Sequence, residues 1–293
     1  MPIEIRPIQT LDDFVQVEDV QREIWSDSET QIVPRHLINV TAHSGGAVIG
    51  AFDGERLIGF VYSFIGTDEH EPRRPAMAHL KHCSHMLAVL PDYRGHDLGL
   101  KLKLAQRDFV NKQGIRLVTW TFDPLESRNA HLNIGRLGAI VTTYANDAYG
   151  EMVDGLNAGL PSDRLEAEWW ITSPRVRERL EGGRAALNLV AYLQAGAPIV
   201  NASTTAPDDG LPRPPETLTQ PTGMFALVEV PRDFQSLKAY DGVLARDWRF
   251  NVREAFCSLF EGGYMVTDFF AEEHGGRLRS FYGLAPRDVP REG

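Results

Sequence analysis

Between His82 and Gly99 the chain gathers residue types that can do chemistry. The stretch His85-Met-Leu-Ala-Val-Leu-Pro-Asp-Tyr-Arg-Gly-His-Asp-Leu-Gly-Leu100 joins an apolar run, a proline and a short turn, Arg94-Gly95-His96-Asp97-Leu98-Gly99. A helical pattern opens at Leu98. A strand that turns abruptly into a helix leaves several backbone N–H groups without acceptors at one point, and the helix dipole adds positive potential there. Such a point attracts a phosphate or pyrophosphate. The strand side offers imidazoles. His85 is of a type that titrates near neutrality and can take a proton from an amine; a satisfied structural histidine is the other reading. Alternation puts His85 on the face of Leu87 and His82 on the opposite face, so the two do not form a metal pair. No cysteine or carboxylate completes a ligand set, and no metal is expected.

These residues need a scaffold. Ile3-Glu-Ile-Arg-Pro reads as a first strand, and a helix follows from Leu11 to Trp25 with Thr10 or Asp12 as its cap. A short helix is expected over Pro34–Thr41. Ala47–Phe52 and Leu57–Phe64, joined at Asp53-Gly54, read as a hairpin. A long strand is expected over Ala78–Val89, then a helix over Leu98–Lys112 ended by Gly114. Leu117–Phe122, a helix over Asn129–Leu137, and strands Ala139–Tyr144 and Arg164–Ile171 complete the series. This order predicts an α+β fold: a mixed, mostly antiparallel central sheet with helices on both faces. After residue 175 the character changes. Residues 197–223 are rich in Pro and Thr and read as a loop or linker. A strand at Met224–Val230, helices over Asp233–Ala245 and Arg249–Phe260, and strands at Tyr264–Phe270 and Leu278–Leu284 form a C-terminal α+β extension, 176–293.

Composition bounds the function. The 293 residues carry 30 Lys and Arg against 40 Asp and Glu, a net charge of −10. That balance argues against nucleic acid as a partner. No apolar run is long enough to span a membrane, and the N-terminus lacks the pattern of a signal peptide. The two cysteines, Cys83 and Cys257, form no disulfide framework and are expected to be reduced and buried, so a cytoplasmic location is expected.

From Met86 to Leu100 the chain resembles the GNAT superfamily of acyl-CoA-dependent N-acyltransferases. The elements that carry the resemblance are Val89-Leu-Pro91, Tyr93-Arg-Gly95, the turn Arg94–Gly99, and the helix that begins with it. The resemblance continues through Lys101–Arg107, Leu117–Phe122 and Ser127-Arg-Asn-Ala-His-Leu-Asn-Ile-Gly-Arg-Leu-Gly138-Ala139. It covers about residues 1–175. It implies an acyl-CoA co-substrate, acetyl-CoA among the candidates. The N–H groups of Arg94, Gly95, His96, Asp97, Leu98 and Gly99 are implied to hold the coenzyme pyrophosphate. Leu87, Ala88 and Val89 are implied to splay from the next strand and expose backbone to the pantetheine and thioester, one N–H polarising the carbonyl. Asn129 is implied to bond the pantetheine arm.

Two positions depart from the family pattern. Asp97 stands where the family usually has Gly. Either its side chain caps the helix and faces solvent, or its charge repels the phosphates. Ile134 stands where many members carry a Tyr that protonates the leaving thiolate. Tyr144 or Tyr149 could replace it, although Tyr144 also fits a core strand position. On the acceptor side, Arg73 and Arg74 could bind a carboxylate, and Trp25 and Arg35 could line the site.

The expected function is transfer of an acetyl or succinyl group from coenzyme A to the primary amine of a small molecule, an amino acid among the candidates. Direct attack in a ternary complex is expected. The extension could cover the acceptor site or form a homodimer interface. The competing expectation is a non-catalytic acyl-CoA-binding or ligand-sensing protein with the same fold.

Overall fold

The computed structural model describes residues 2–25, 29, 32–68, 75–150, 152, 158–182 and 187–287. The chain packs as two compact units, Met1–Trp120 with Trp170–Thr172, and Thr121–Trp169 with Ser173–Gly293. The chain crosses between them within two of its strands, so the packing division does not fall at residue 175.

The first unit contains β1 (Glu4–Pro7), α1 (Leu11–Trp25), α2 (Arg35–His43), β2 (Ala47–Asp53), β3 (Arg56–Thr67), β4 (Leu80–Val89), α3 (Leu98–Lys112) and the start of β5 (Leu117–Phe122). The strands lie in the order β1-β2-β3-β4-β5, antiparallel except for the β4–β5 pair. Thr10 is the cap of α1: its hydroxyl accepts from the Asp13 N–H at 3.1 Å. Asp13 in turn holds Arg6 bidentately at 2.9 and 3.0 Å, and that pairing draws its carboxyl down to about 2. The β2–β3 hairpin turns at Asp53-Gly54, with Gly54 at φ +62°. β4 begins at Leu80 rather than Ala78, because Ala76–His79 closes into a tight 3-10 turn after Pro75. Both faces of the sheet are covered. Tyr62 meets Thr41 of α2 on one, and His82 meets Phe109 of α3 on the other. Phe14, Ile38, Phe52, Phe60, Val61 and Leu102 are buried in the core between them.

The second unit holds the end of β5, then α4 (Ser127–Ala130), β6 (Ile140–Ala145), β7 (Arg164–Trp170), α5 (Pro174–Glu181), α6 (Leu189–Gln194) and the short pair β8 (Thr204–Thr205) and β9 (Pro212–Arg213). β10 (Ala226–Val230), α7 (Phe234–Tyr240), α8 (Gly242–Glu261), β11 (Tyr264–His274) and β12 (Arg277–Pro286) complete it. Its strands run β7-β6-β11-β12-β10, each antiparallel to the next.

Three expectations for this unit need correction. The helix expected over Asn129–Leu137 starts earlier and widens over His131–Arg136, where the Leu137 N–H bonds to Leu132 O, five residues back, at 2.9 Å. The helices expected over 233–245 and 249–260 divide instead at Asp241, whose carboxylate accepts from the N–H groups of Val243 and Leu244 at 3.0 and 2.9 Å and so caps α8. The Pro/Thr-rich segment 197–223 is tied down rather than loose. Trp248 Nε1–H donates to Pro212 O and the Asn251 amide to Pro215 O, at 2.8 and 2.9 Å.

Candidate active site

The site begins with an interrupted ladder. β4 and β5 pair in parallel only from Lys81/Leu117 to Cys83/Thr119. From Ser84 to Val89 that edge of β4 has no strand partner among the described residues, while its other edge stays paired with β3 as far as Val89/Gly59. The sequence expects exposed backbone at Leu87, Ala88 and Val89; alternation aims the N–H groups of Leu87 and Val89 at this open edge, whereas Ala88, in phase with the Leu90 N–H that donates to Ile58 O, turns its own toward β3. Arg94 Nε donates to Val89 O at 3.2 Å and marks the end of the edge.

The β3–β4 register slips at the start of this edge. Ser63 faces Ser84 and Tyr62 faces Met86, which leaves His85 as the extra residue of a β-bulge. Its imidazole lies edge-on to Tyr62 (centroids 6.0 Å apart, 77°) and near Phe64 (6.3 Å). His85 remains exposed, and among the described residues neither ring nitrogen has a hydrogen-bond partner. Crowding by its neighbours pulls its pKa below the ordinary histidine value, which keeps the imidazole neutral at pH 7.

His82 has a different environment. It is fully buried on the α3 face, with Nδ1 3.0 Å from the Ser63 hydroxyl and Nε2 2.7 Å from Gln113 Oε1. The Gln113 amide nitrogen donates to Gly45 O, so its oxygen accepts from Nε2–H and Nδ1 accepts from Ser63. His82 is a satisfied structural histidine, and the predicted division of the two imidazoles between faces is what the structure has.

Beyond β4, Pro91–Tyr93 forms a single 3-10 turn, with the Tyr93 hydroxyl donating to Asp53 at 2.9 Å. The chain then bends twice through left-handed backbone, at Gly95 (φ +87°) and Asp97 (φ +56°), before α3 starts. Glycine adopts such values without strain, and Asp is among the few other residues that tolerate them. Asp97 occupies the N-cap position, yet its side chain makes no capping hydrogen bond. The expected capping role is therefore replaced by a backbone one: a residue in αL re-aims the chain into the helix. The N–H groups of Leu98, Gly99 and Leu100 lie in the first turn, where a helix supplies no acceptor. Arg94, Gly95, His96 and Asp97 are all exposed beside them. The turn thus presents first-turn donors and two basic side chains at the positive end of a 15-residue helix, a fit to a diphosphate.

Residues 11–133 match the model of the Acetyltransferase (GNAT) family. Over this segment the chain is similar to the GNAT acetyltransferases. No curated protein matches the chain in sequence. Several solved acetyltransferase structures align with part of it. A putative GNAT acetyltransferase from Desulfovibrio desulfuricans does so at 14% identity and TM-score 0.43, covering 58% of this chain and 100% of its own. The ribosomal-protein-S18-alanine N-acetyltransferase of Escherichia coli aligns at 13% identity and TM-score 0.45, over 58% of this chain and 94% of its own. The PaiA N-acetyltransferase of Thermoplasma acidophilum, solved with coenzyme A, aligns at 20% and 0.40, over 57% and 98%.

The remaining GNAT-derived candidates are placed as follows. Trp25 ends α1 half-buried, edge-on to Phe60 at 6.3 Å. Arg35 opens α2; its N–H donates to Glu18 Oε1 at 2.6 Å, and its guanidinium sits 3.7 Å from the same carboxylate. Arg73 and Arg74 lie outside the described residues. In the second unit, Asn129 is exposed on α4 and Ile134 is fully buried in the widened turn. Tyr144 is stacked on Phe256, and its hydroxyl donates to Asp163 at 2.8 Å. Burial, reinforced by Asp163, raises its pKa. Asp163 is itself held by Arg253. Both cysteines are half-buried, less enclosed than expected.

The bulge at His85 and the aromatic neighbours Tyr62 and Phe64 were not legible as site features. The one available signal was the period-two spacing Phe60, Tyr62, Phe64 on β3, which puts all three rings on one face. Among the described residues no group of three or more potential ligands could hold a metal ion, and no helix is long and apolar enough to cross a membrane.

Proposed function

We propose that this protein transfers an acyl group from a coenzyme A thioester to the primary amine of a small molecule by direct attack in a ternary complex. The observation that carries the reading is the open β4 edge, Ser84–Val89, which starts at the His85 bulge and runs toward the Gly95–Asp97 turn. Residues 1–175 serve as the acyltransferase domain in this reading, and 176–293 as its extension.

The turn binds the diphosphate through the amides of Gly95, His96, Leu98 and Gly99, with the Arg94 and His96 side chains beside it; the Arg94 N–H itself is spent on Pro91 O at 3.2 Å. When bound, the coenzyme supplies an acyl group activated as a thioester. The outward N–H groups of Leu87 and Val89 orient that group along the strand and offer a donor to the carbonyl oxygen as it gains charge. Holding amine and acyl carbon together on one strand accounts for much of the expected acceleration. His85, neutral and solvent-accessible, takes the proton of the attacking amine at a ring nitrogen. Tyr144 is not assigned a role, because its hydroxyl is committed to Asp163. The thiolate leaves to solvent protons.

The test is free-thiol release from acetyl-CoA and succinyl-CoA with a panel of amino acids and simple amines. Amine-dependent release supports the reading. Coenzyme binding without release on any amine favours instead a ligand-sensing protein, a reading that Ile134 supports by leaving the family's usual acid position apolar.

A further inference from the structure

We infer that the acceptor amine carries an aromatic or large apolar group, read by the ring cluster Tyr62–Phe64–His85. The inference rests on the acyl-transfer reading and names the substrate class of that site.

Three rings converge at the bulge. Their centroids are 6.0 Å (Tyr62–His85), 6.2 Å (Tyr62–Phe64) and 6.3 Å (Phe64–His85) apart. Aromatic rings at such separations form a favourable packing surface, and another ring can join it edge-on or offset. The row runs from closed to open along β3: Phe60 is 0% exposed, Tyr62 3% and Phe64 39%. It therefore ends as a shelf at the surface. A single exposed phenylalanine is ordinary. This one adjoins the only imidazole on the open β4 segment, and the two share a neighbour in Tyr62.

The shelf offers little to a polar side chain. The Tyr62 hydroxyl is used: it donates to Thr41 Oγ1, 3.0 Å away, whose own proton goes to Leu37 O at 2.9 Å. Phe64 has no polar atom. The only open polar atoms among the three are the His85 ring nitrogens. The cluster thus pairs one proton acceptor with an apolar surface directly beside it. That pairing suits an amine whose nitrogen meets the imidazole while an attached ring or alkyl group lies on Phe64 and Tyr62. A carboxylate or second ammonium in the same place would lose water and gain no partner from these rings.

The experiment uses the full chain with coenzyme A and two probes, phenethylamine and ethanolamine. Binding is read from the His85 imidazole NMR signals, assigned with His85→Gln, and turnover from thiol release with acetyl-CoA. Phenethylamine is expected to shift the His85 signals and to bind at least tenfold tighter than ethanolamine. In Phe64→Ala the preference should fall toward one, and Phe64→Leu should restore part of it. Equal binding of the two amines, or a preference that survives in Phe64→Ala, overturns the inference. The two readings fail separately. Preferential phenethylamine binding without thiol release on any amine leaves the shelf and removes acyl transfer; turnover with no aromatic preference does the reverse.

Discussion

The imidazole of His85 stands edge-on to the ring of Tyr62, their centroids 6.0 Å apart, because the strand carrying His85 has one residue more than the strand it pairs with. The bulge turns a regular strand position into a presented one. If His85 is the base, the rate of acyl transfer should rise with pH through a limb below the ordinary histidine value of about 6.5, since its surroundings disfavour the protonated form. His85→Gln should abolish that limb and lower kcat/KM by roughly 10²–10⁴. A pH–rate profile unchanged in the variant would sink the assignment.

His82 gives a stability prediction of the same sign and a separate origin. Burial lowers its pKa, with the Gln113 bond opposing, so the folded chain resists protonating it. The unfolded chain takes up that proton near pH 6.5, and acid therefore favours unfolding. The contribution is complete above the unfolded value and is lost as pH falls through the lower folded one. Thermal melts between pH 7.5 and 5 should show a falling Tm, with a shallower dependence in His82→Gln.

Asp97→Gly tests the turn. Glycine takes φ +56° without the steric cost borne by a side chain, so the fold should hold within about 1 kcal/mol. Removing a carboxylate from the turn should tighten coenzyme A binding by roughly fivefold, about 1 kcal/mol of relieved repulsion. Calorimetric titration of both forms at low and high salt measures it. Weaker binding in the glycine variant would show that Asp97 helps hold the ligand.

In the second unit, Arg249 is 2% exposed and bonds Asp123 through both terminal nitrogens, one at 2.9 Å. Asp123→Asn leaves that guanidinium buried without its counter-charge. The expected loss is about 3–5 kcal/mol, read from denaturant unfolding. A loss below about 1 kcal/mol would mean that water or a neighbour replaces the carboxylate.

What could be read in advance followed from local rules. α3 runs over Leu98–Lys112 as its apolar spacing and Gly114 dictate, and Asp53-Gly54 makes the hairpin its residue types require. The turn after β4 was legible because it has a motif. The bulge was not, because a register slip depends on which residues of β3 and β4 meet, and neither strand carries that alone. The division of α7 from α8 was missed for a related reason: Asp241 is flanked by helix formers on both sides, and its capping role appears only once both helices are packed. The order in 197–223 comes from Trp248 and Asn251, far along the chain, which composition cannot anticipate.

Unpaired strand edges invite other strands. From Ser84 to Val89 one edge of β4 meets no strand among the described residues, and it is long enough to template a β-ladder with a passing chain. An irregular start at His85, and an arginine that takes up Val89 O at the far end, shorten the stretch on which a foreign strand could align. The same two residues that frame the proposed reaction surface thereby also shorten an edge of the kind that templates aggregation.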